Sequence, residues 1–466
     1  MNPRSRDPED FRMRRPFWPF LKHVPLLPLL LLAWAPTSLA AQVGTESLAL
    51  VGGRVLDGFG GPPLENAVIL VEGDRIVALG PKGEMEIPRD ATVISTEGMT
   101  VMPGLWDMHV HLQLLGHGDY PRWHELFGDR HQETMAIAAE QLLMAGVTSA
   151  RDLGGPLEEL LEVRRGIREG ALPGPDLYIS GPFIQRAPYQ PYEERYRWGV
   201  NGPQDARGKV QHLVDAGVDV IKLIDQDLLS EEEVSAVVEA ARAAGVPVVA
   251  HAHRMEEIRV GLRAGVQNFE HTGLGTAPAY PDDIMDGLKE RNASLFWTPT
   301  ASPLIVMHYT GEVFPERLDD PAWRAGMPEE MAEEIRQSLN DITRLPYYAL
   351  FPSRIPRLET KFQQLRESGV QLLIGTDAGI PTMFHNDSTW REMELWVRWG
   401  VDPMQVIQAA TLWPARFMGV ESEVGALAPG LRADIIAVRG DPLTQMSILR
   451  SVDLVVKEGR VVKGAR

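Results

Sequence analysis

Short apolar segments alternate with helical stretches through the middle of the chain, and this alternation restricts the fold more than any other feature. Eight strand candidates begin near Val101, Val147, Leu177, Val218, Val246, Asn268, Leu295 and Leu372, and stretches such as 231–244 carry helical periodicity between them. Parallel strands need long crossovers, and a helix is the usual one. Eight such units over about 320 residues predict an α/β architecture, a (β/α)8 TIM barrel with insertions. A doubly wound open sheet would show the same local pattern. Three gaps are longer than the rest: 112–131, 183–203 and 300–360, after strands one, three and seven. In a barrel these loops lie on the C-terminal face, where chemistry occurs.

The two ends of the chain have a different texture. Residues 48–51, 67–71 and 75–79, and later 433–438, 451–456 and 460–462, are short β-prone runs divided by Gly and Pro turns. Segments 46–101 and 422–466 are therefore expected to form one small β-sandwich domain built from both termini. The barrel domain would occupy 102–421. Ahead of them, residues 1–41 have the layout of a signal peptide. Arg12, Arg14, Arg15 and Lys22 precede an apolar run over 24–35, followed by Ser38-Leu39-Ala40. Pro25 and Pro28 break that run, and it is short for a hydrocarbon core of about 30 Å. The expectation is export with cleavage near Ala40, to the periplasm or beyond, with no stable membrane insertion afterwards. An uncleaved anchor is the alternative, and Arg14-Arg15 leaves Sec against twin-arginine export open.

Charge and cysteine content narrow the chemistry. With 46 basic and 64 acidic side chains the net charge is −18, which argues against a nucleic-acid partner. There is no cysteine. Disulfides and thiolate ligands are excluded, and any metal must be held by His, carboxylate or a modified Lys.

Candidates for that task stand at the ends of the predicted strands. In Pro103-Gly-Leu-Trp-Asp-Met-His109-Val-His111 the two histidines are two apart on a strand and share a face. His251 closes strand five in Val248-Val-Ala-His251-Ala-His253, His271 closes strand six in Asn268-Phe-Glu-His271, and Asp377 closes strand eight in Gly375-Thr-Asp377-Ala-Gly379. Each alone has a bland reading. Four apolar strands tipped with His or Asp point together to a ligand at the barrel mouth. Lys222 interrupts the apolar run Val218-Asp-Val-Ile-Lys222 and shares a face with Val218 and Val220. An ammonium buried beside divalent cations is electrostatically untenable. A neutral amine there could take up CO2 and offer carbamate oxygens to two metals; pairing with Asp225 is the plain alternative. His117, His124 and His131 fit no single face and are read as loop or surface residues. The aromatic stretch 189–198 and the segment 297–309 are candidate substrate walls or lids, or ordinary loop packing.

These motifs resemble the amidohydrolase superfamily, in its binuclear branch with a carboxylated lysine, and within it the imidazolonepropionase-like and Xaa-Pro dipeptidase-like group. Val101-Met-Pro-Gly-Leu-Trp-Asp-Met-His-Val-His resembles the opening motif, Gly217-Val-Asp-Val-Ile-Lys222 the lysine segment, and Pro429-Gly-Leu-Arg-Ala-Asp-Ile-Ile the C-terminal return to the sheet. The resemblance implies a metal-dependent hydrolase of carbon–nitrogen bonds in small amide or dipeptide substrates. Two divalent metal ions, zinc by expectation, would be involved. His109, His111 and Asp377 would hold the first and His251 and His271 the second, with carboxylated Lys222 between them. His253 would lie nearer substrate, although His251 and His253 could exchange these parts. A metal-bridging hydroxide would attack, and Asp377 would carry the proton to the leaving nitrogen. After Lys222 the chain reads Leu-Ile-Asp-Gln-Asp, and 182–189 also departs from the dipeptidase-like pattern. The substrate-facing surface has therefore diverged. A mononuclear deaminase, a lactonase or phosphotriesterase-like hydrolase of the same fold, and a non-catalytic binding protein are the alternatives. A homo-oligomer is left open.

Overall fold

The computed structural model describes residues 47–464, apart from 188–189, 274, 276 and 346–347. Residues 1–41 and the signal-peptide reading made on them lie outside the described residues. Among the described residues no helix is long and apolar enough to cross a membrane.

Eight parallel strands form the barrel-like domain: Leu105–Val110, Val147–Asp152, Asp176–Ile179, Ile221–Leu223, Val248–His251, Asn268–Glu270, Phe296–Thr298 and Gln371–Leu372. The first three pair in one sheet and the last five in another. Regular ladder pairing is interrupted at two seams, which isolated backbone bonds bridge. Asp219 N donates to Ile179 O at 2.8 Å across one, and Met108 N to Ile374 O at 3.0 Å across the other. Leu153, Val220 and Val249 pack together on the inner side, while Ile221, Leu223, Val248 and Ala250 join the large core beneath the helices. The inner and outer residues alternate, as the period of a strand requires.

The second domain is an eight-stranded sheet. Its strands are Ser47–Val55, Leu64–Glu72, Arg75–Pro81, Thr92–Ser95 and Met99–Pro103 from the N-terminal side, and Ile435–Arg439, Leu454–Lys457 and Arg460–Lys463 from the C-terminal end. Bulges in the first strand at Val51/Gly53 and Gly53/Val55 let it pair with two neighbours in succession, bending the sheet. Leu48, Leu50, Ile69 and Val71 thereby share one core with Ile435, Ala437, Leu454 and Val456. The stretch read as barrel strand one is two strands. Val101 belongs to Met99–Pro103 in the sheet, and the barrel begins at Leu105. Gly104 makes the switch, at a point where a Cβ would collide with the Thr148 side chain.

The joint between domains lies at the N-terminal side of the barrel strands. Lys457 Nζ bonds Asp176 at 3.1 Å and Asp434 at 3.2 Å, and Arg432 pairs with both carboxylates. The C-terminal side is left to the loops. After strand one comes helix Tyr120–Phe127, after strand three come short strands Phe183–Gln185 and Arg197–Gly199, and after strand seven a run of short helices leads into Phe351–Ser368.

Candidate metal centre

Asp107 and His109 stand on barrel strand one, and His111 follows directly after its end. Asp107 faces the seam with strand eight, where it accepts Thr376 Oγ1 at 2.7 Å, Thr376 N at 3.1 Å and Thr389 Oγ1 at 2.9 Å. Burial pushes its carboxyl up to about 7. His109 and His111 lie against Asp377, the residue after Thr376. His111 Nε2 lies 3.1 Å and His109 Nε2 3.5 Å from Asp377 Oδ1. Asp377 N donates to His109 O at 2.7 Å, so the carboxylate and both imidazoles are placed by the same backbone seam.

Strands five and six supply the second group. His251 is the last residue of its strand and His253 lies just past it. The His253 ring stacks on His271 at 4.2 Å between centroids, and His251 meets His271 edge-on at 4.6 Å. His271 Nδ1 is 2.7 Å from Thr300 Oγ1, which aims Nε2 inward. His271, Thr300 and Asp377 all have left-handed backbone (φ 74°, 40° and 57°), a conformation that costs a branched or carboxylate residue about 1–3 kcal/mol. Strain at three strand ends in one site is held by the surrounding bonds.

The donor atoms form two groups, His109–His111–Asp377 and His251–His253–His271, and within each they lie within 4.8 Å of one another. Either group could hold a metal ion. The two are contiguous, since the rings of His109 and His271 are 4.8 Å apart. Sequence reasoning left His251 and His253 as competitors, whereas the structure brings both into the cluster. Lys222 is fully buried, and its charge acts on His109, His251 and His271. Its Nζ has no hydrogen-bond partner among the described residues. Asp225, the alternative partner, is engaged by Arg254 at 2.8 Å. Burial pulls the Lys222 amine down to about 8 and drives His109, His251 and His271 well below the usual imidazole range. Neutral nitrogens are what a divalent ion requires. His109 Nε2, His111 Nδ1, His253 Nδ1, His271 Nε2 and Lys222 Nζ are all buried without a hydrogen-bond partner among the described residues, and buried polar atoms rarely go unsatisfied. This donor set fits divalent metal.

Two residues that sequence reasoning passed over complete the centre. Glu270, fully buried, accepts from Arg151 Nη2 at 2.7 Å through Oε1, and its Oε2 lies 2.9 Å from His109 Nδ1. That bond fixes the tautomer of His109 and leaves Nε2 free for a ligand. The available signal was a charged Arg151 in the second barrel strand, Val147-Thr-Ser-Ala-Arg-Asp, where an apolar residue is expected. The structure narrows three readings that the sequence left broad. His117 is buried and stacked on Trp123 at 4.2 Å, and His131 is buried at the start of helix His131–Met144; the long loop folds inward and covers them. Trp297 is core, its Nε1 donating to His271 O at 2.7 Å, so it supports the centre and is not a substrate wall. A cleft of about 1080 Å³ opens between helices His131–Met144 and Ser388–Arg398, and none of the donors lines it.

A parallel barrel with paired histidines and a carboxylate at its strand ends defines a class of hydrolase that works with divalent metals. The family model described as "Amidohydrolase family" matches residues 100–462, and the chain belongs to that family. Ochratoxinase from Aspergillus niger is 25% identical over 478 residues, covering 92% of this chain and 89% of that protein. A Xaa-Pro dipeptidase structure with methionine bound in its active site superposes with a TM-score of 0.72 at 25% identity, covering 90% of this chain and all of the other. The fold is also that of molinate hydrolase, with a TM-score of 0.71 at 22% identity, covering 90% of this chain and 95% of that one.

Proposed function

We propose that this amidohydrolase cleaves the carbon–nitrogen bond of a small amide or dipeptide, using two divalent ions, zinc in the first instance. His109, His111 and Asp377 would hold one ion and His251 and His271 the other, with His253 turned toward substrate. The observation that carries this reading is the set of buried nitrogens without hydrogen-bond partners gathered at four different strands, Lys222 Nζ among them. Lys222 would bridge the groups as a carbamate: its neutral Nζ bonds the carbon of CO2 and releases one proton. The lowered amine pKa of about 8 makes the neutral form available near pH 7. When bound, the ions supply Lewis acidity, which polarises a carbonyl and brings the pKa of water from about 16 toward about 7. Asp377 would accept the proton of the attacking water on a carboxylate oxygen and return it to the leaving nitrogen. The names of the relatives, an ochratoxinase and a Xaa-Pro dipeptidase, support small amide and dipeptide substrates.

The test combines metal analysis of purified protein with turnover of dipeptides and N-acyl amino acids. Two equivalents of metal with hydrolysis of any of these is the expected result. A count near one with release of ammonia from an aminated base would favour the mononuclear deaminase instead. Lys222→Met should lower the count, and two retained equivalents in that variant would remove the carbamate from the reading. Export with cleavage near Ala40 is a separate proposal, resting on the basic-then-apolar N-terminus. N-terminal sequencing of protein from the exported fraction should begin near Ala41.

A further inference from the structure

The ladder pairing of strand seven ends at Thr298, opposite Glu270, and two residues later Thr300 stands in the left-handed region at φ 40°. A β-branched side chain crowds its own backbone there, so the conformation persists only if the surroundings impose it. Thr300 is nonetheless where a hydroxyl is wanted, with Oγ1 2.7 Å from His271 Nδ1. What holds the turn is Glu392, fully buried on helix Ser388–Arg398, the helix after strand eight. Its carboxylate takes the two amides that follow Thr300. Ala301 N donates to Oε1 at 2.9 Å and Ser302 N to Oε2 at 2.7 Å. Trp396 Nε1, one turn along the same helix, donates to Oε1 at 2.8 Å and keeps the carboxylate from swinging. The Trp396 ring is itself buried, 5.2 Å from Phe362. All three of these partners are neutral N–H groups. Burying a carboxylate on neutral donors is costly, and packing two helices does not require one. What it secures is the geometry of a single turn beside the histidines.

We propose that Glu392 is a positioning residue for the metal centre: by clamping Ala301 and Ser302 it keeps Thr300 in its strained conformation, and Thr300 in turn orients His271. This rests on the two-ion reading above and concerns the ion that His251 and His271 would hold. Thr300 Oγ1 accepts the Nδ1 proton of His271, which fixes the tautomer and leaves the Nε2 lone pair for a ligand. Asp377 Oδ2 is the competing acceptor, 3.8 Å from the same Nδ1. A His271 ring released by Thr300 would turn its N–H to that carboxylate, and the centre would lose two ligands to each other. The clamp works against that pairing from a helix that supplies none of the donors.

The test is a zinc titration of the metal-stripped full chain in competition with a chromophoric chelator, with the Tm of the stripped protein recorded alongside. Wild type should bind two equivalents. Glu392→Gln sets an NH2 against a backbone N–H, and should weaken one equivalent by about 10-fold or more while the other keeps its affinity. Thr300→Ala, which lacks the hydroxyl, should weaken the same equivalent, and Thr300→Ser should not. Because Glu392 acts through Thr300, the double variant Glu392→Gln/Thr300→Ala should bind zinc as Thr300→Ala does. A carboxylate of purely structural value would instead add its loss to that of Thr300. Unchanged zinc affinity in Glu392→Gln, or additive losses in the double variant, overturns the proposal and leaves the hydrolase reading intact. A wild type that binds fewer than two equivalents sinks both. If Glu392→Gln does not fold, Trp396→Phe takes its place under the same two criteria, since it removes only the N–H that fixes the carboxylate.

Discussion

Glu270 has the most to lose by a change of one atom. It is an anion with no solvent, held between the Arg151 guanidinium and the His109 ring. Replacing it by Gln leaves Arg151 as an uncompensated buried cation, and breaking such a pair costs about 3–5 kcal/mol. It also removes the acceptor that orients His109, a change that typically weakens metal affinity about 10- to 100-fold. Glu270→Gln should therefore lower both Tm and metal occupancy, and a variant that melts and loads normally would show that the triad does not support the centre. Asp377→Asn tests a different property. It keeps an oxygen in place and removes the base, so turnover should fall by roughly 10² or more with the metal retained. Near-normal kcat would exclude Asp377 as the proton carrier.

At the scale of elements, the helix Phe351–Ser368 does more than close the barrel. Lys361, buried on that helix, donates to Gly273 O at 3.1 Å and Gly275 O at 2.9 Å, and Gly275 N donates to His253 O at 2.9 Å. The helix thus straps the loop after strand six to the end of strand five. Burial lowers the Lys361 amine to about 8 against 10.5 in the unfolded chain. The folded state then binds fewer protons between pH 8 and 10.5, so stability gains with rising pH across that window. In urea melts from pH 7 to 10, wild type should gain stability relative to Lys361→Met by on the order of 1 kcal/mol or more; parallel curves would contradict the assignment. This strap was invisible in the sequence because its partners are two backbone carbonyls far from Lys361 along the chain. What could be read was local. Apolar runs gave the strands, their period gave the faces, and the polar tips His109, His251, His271 and Asp377 stood out against those runs. Lys222 was legible for the same reason. Arg151 and Glu270 were not, because each looks like an isolated polar residue until the strands are placed side by side. The single stretch 101–111 misled because the backbone runs on through Gly104 from one sheet into another.

For the whole molecule, strand Ile435–Arg439 is buried on both sides. Ile435 and Ala437 enter the core of the sheet domain, while Ile436 and Val438 join the large core of the barrel. With Lys457 and Arg432 gripping Asp176 at the same joint, the two domains are not separable by any cut that leaves both cores intact. Calorimetry of the metal-free protein should show one cooperative transition, and two resolved transitions would mean that the shared strand does not couple them. The order of donors along the chain has a further consequence. His109 stands on the first barrel strand, His111 just past it, and Asp377 in the segment after the last, so a ribosome-bound nascent chain holds at most part of the cage until Asp377 has been made. An ion held by His109, His111 and Asp377 would then arrive late. Whichever compartment hosts the final step of folding, with its own free-metal levels, decides which element the enzyme carries.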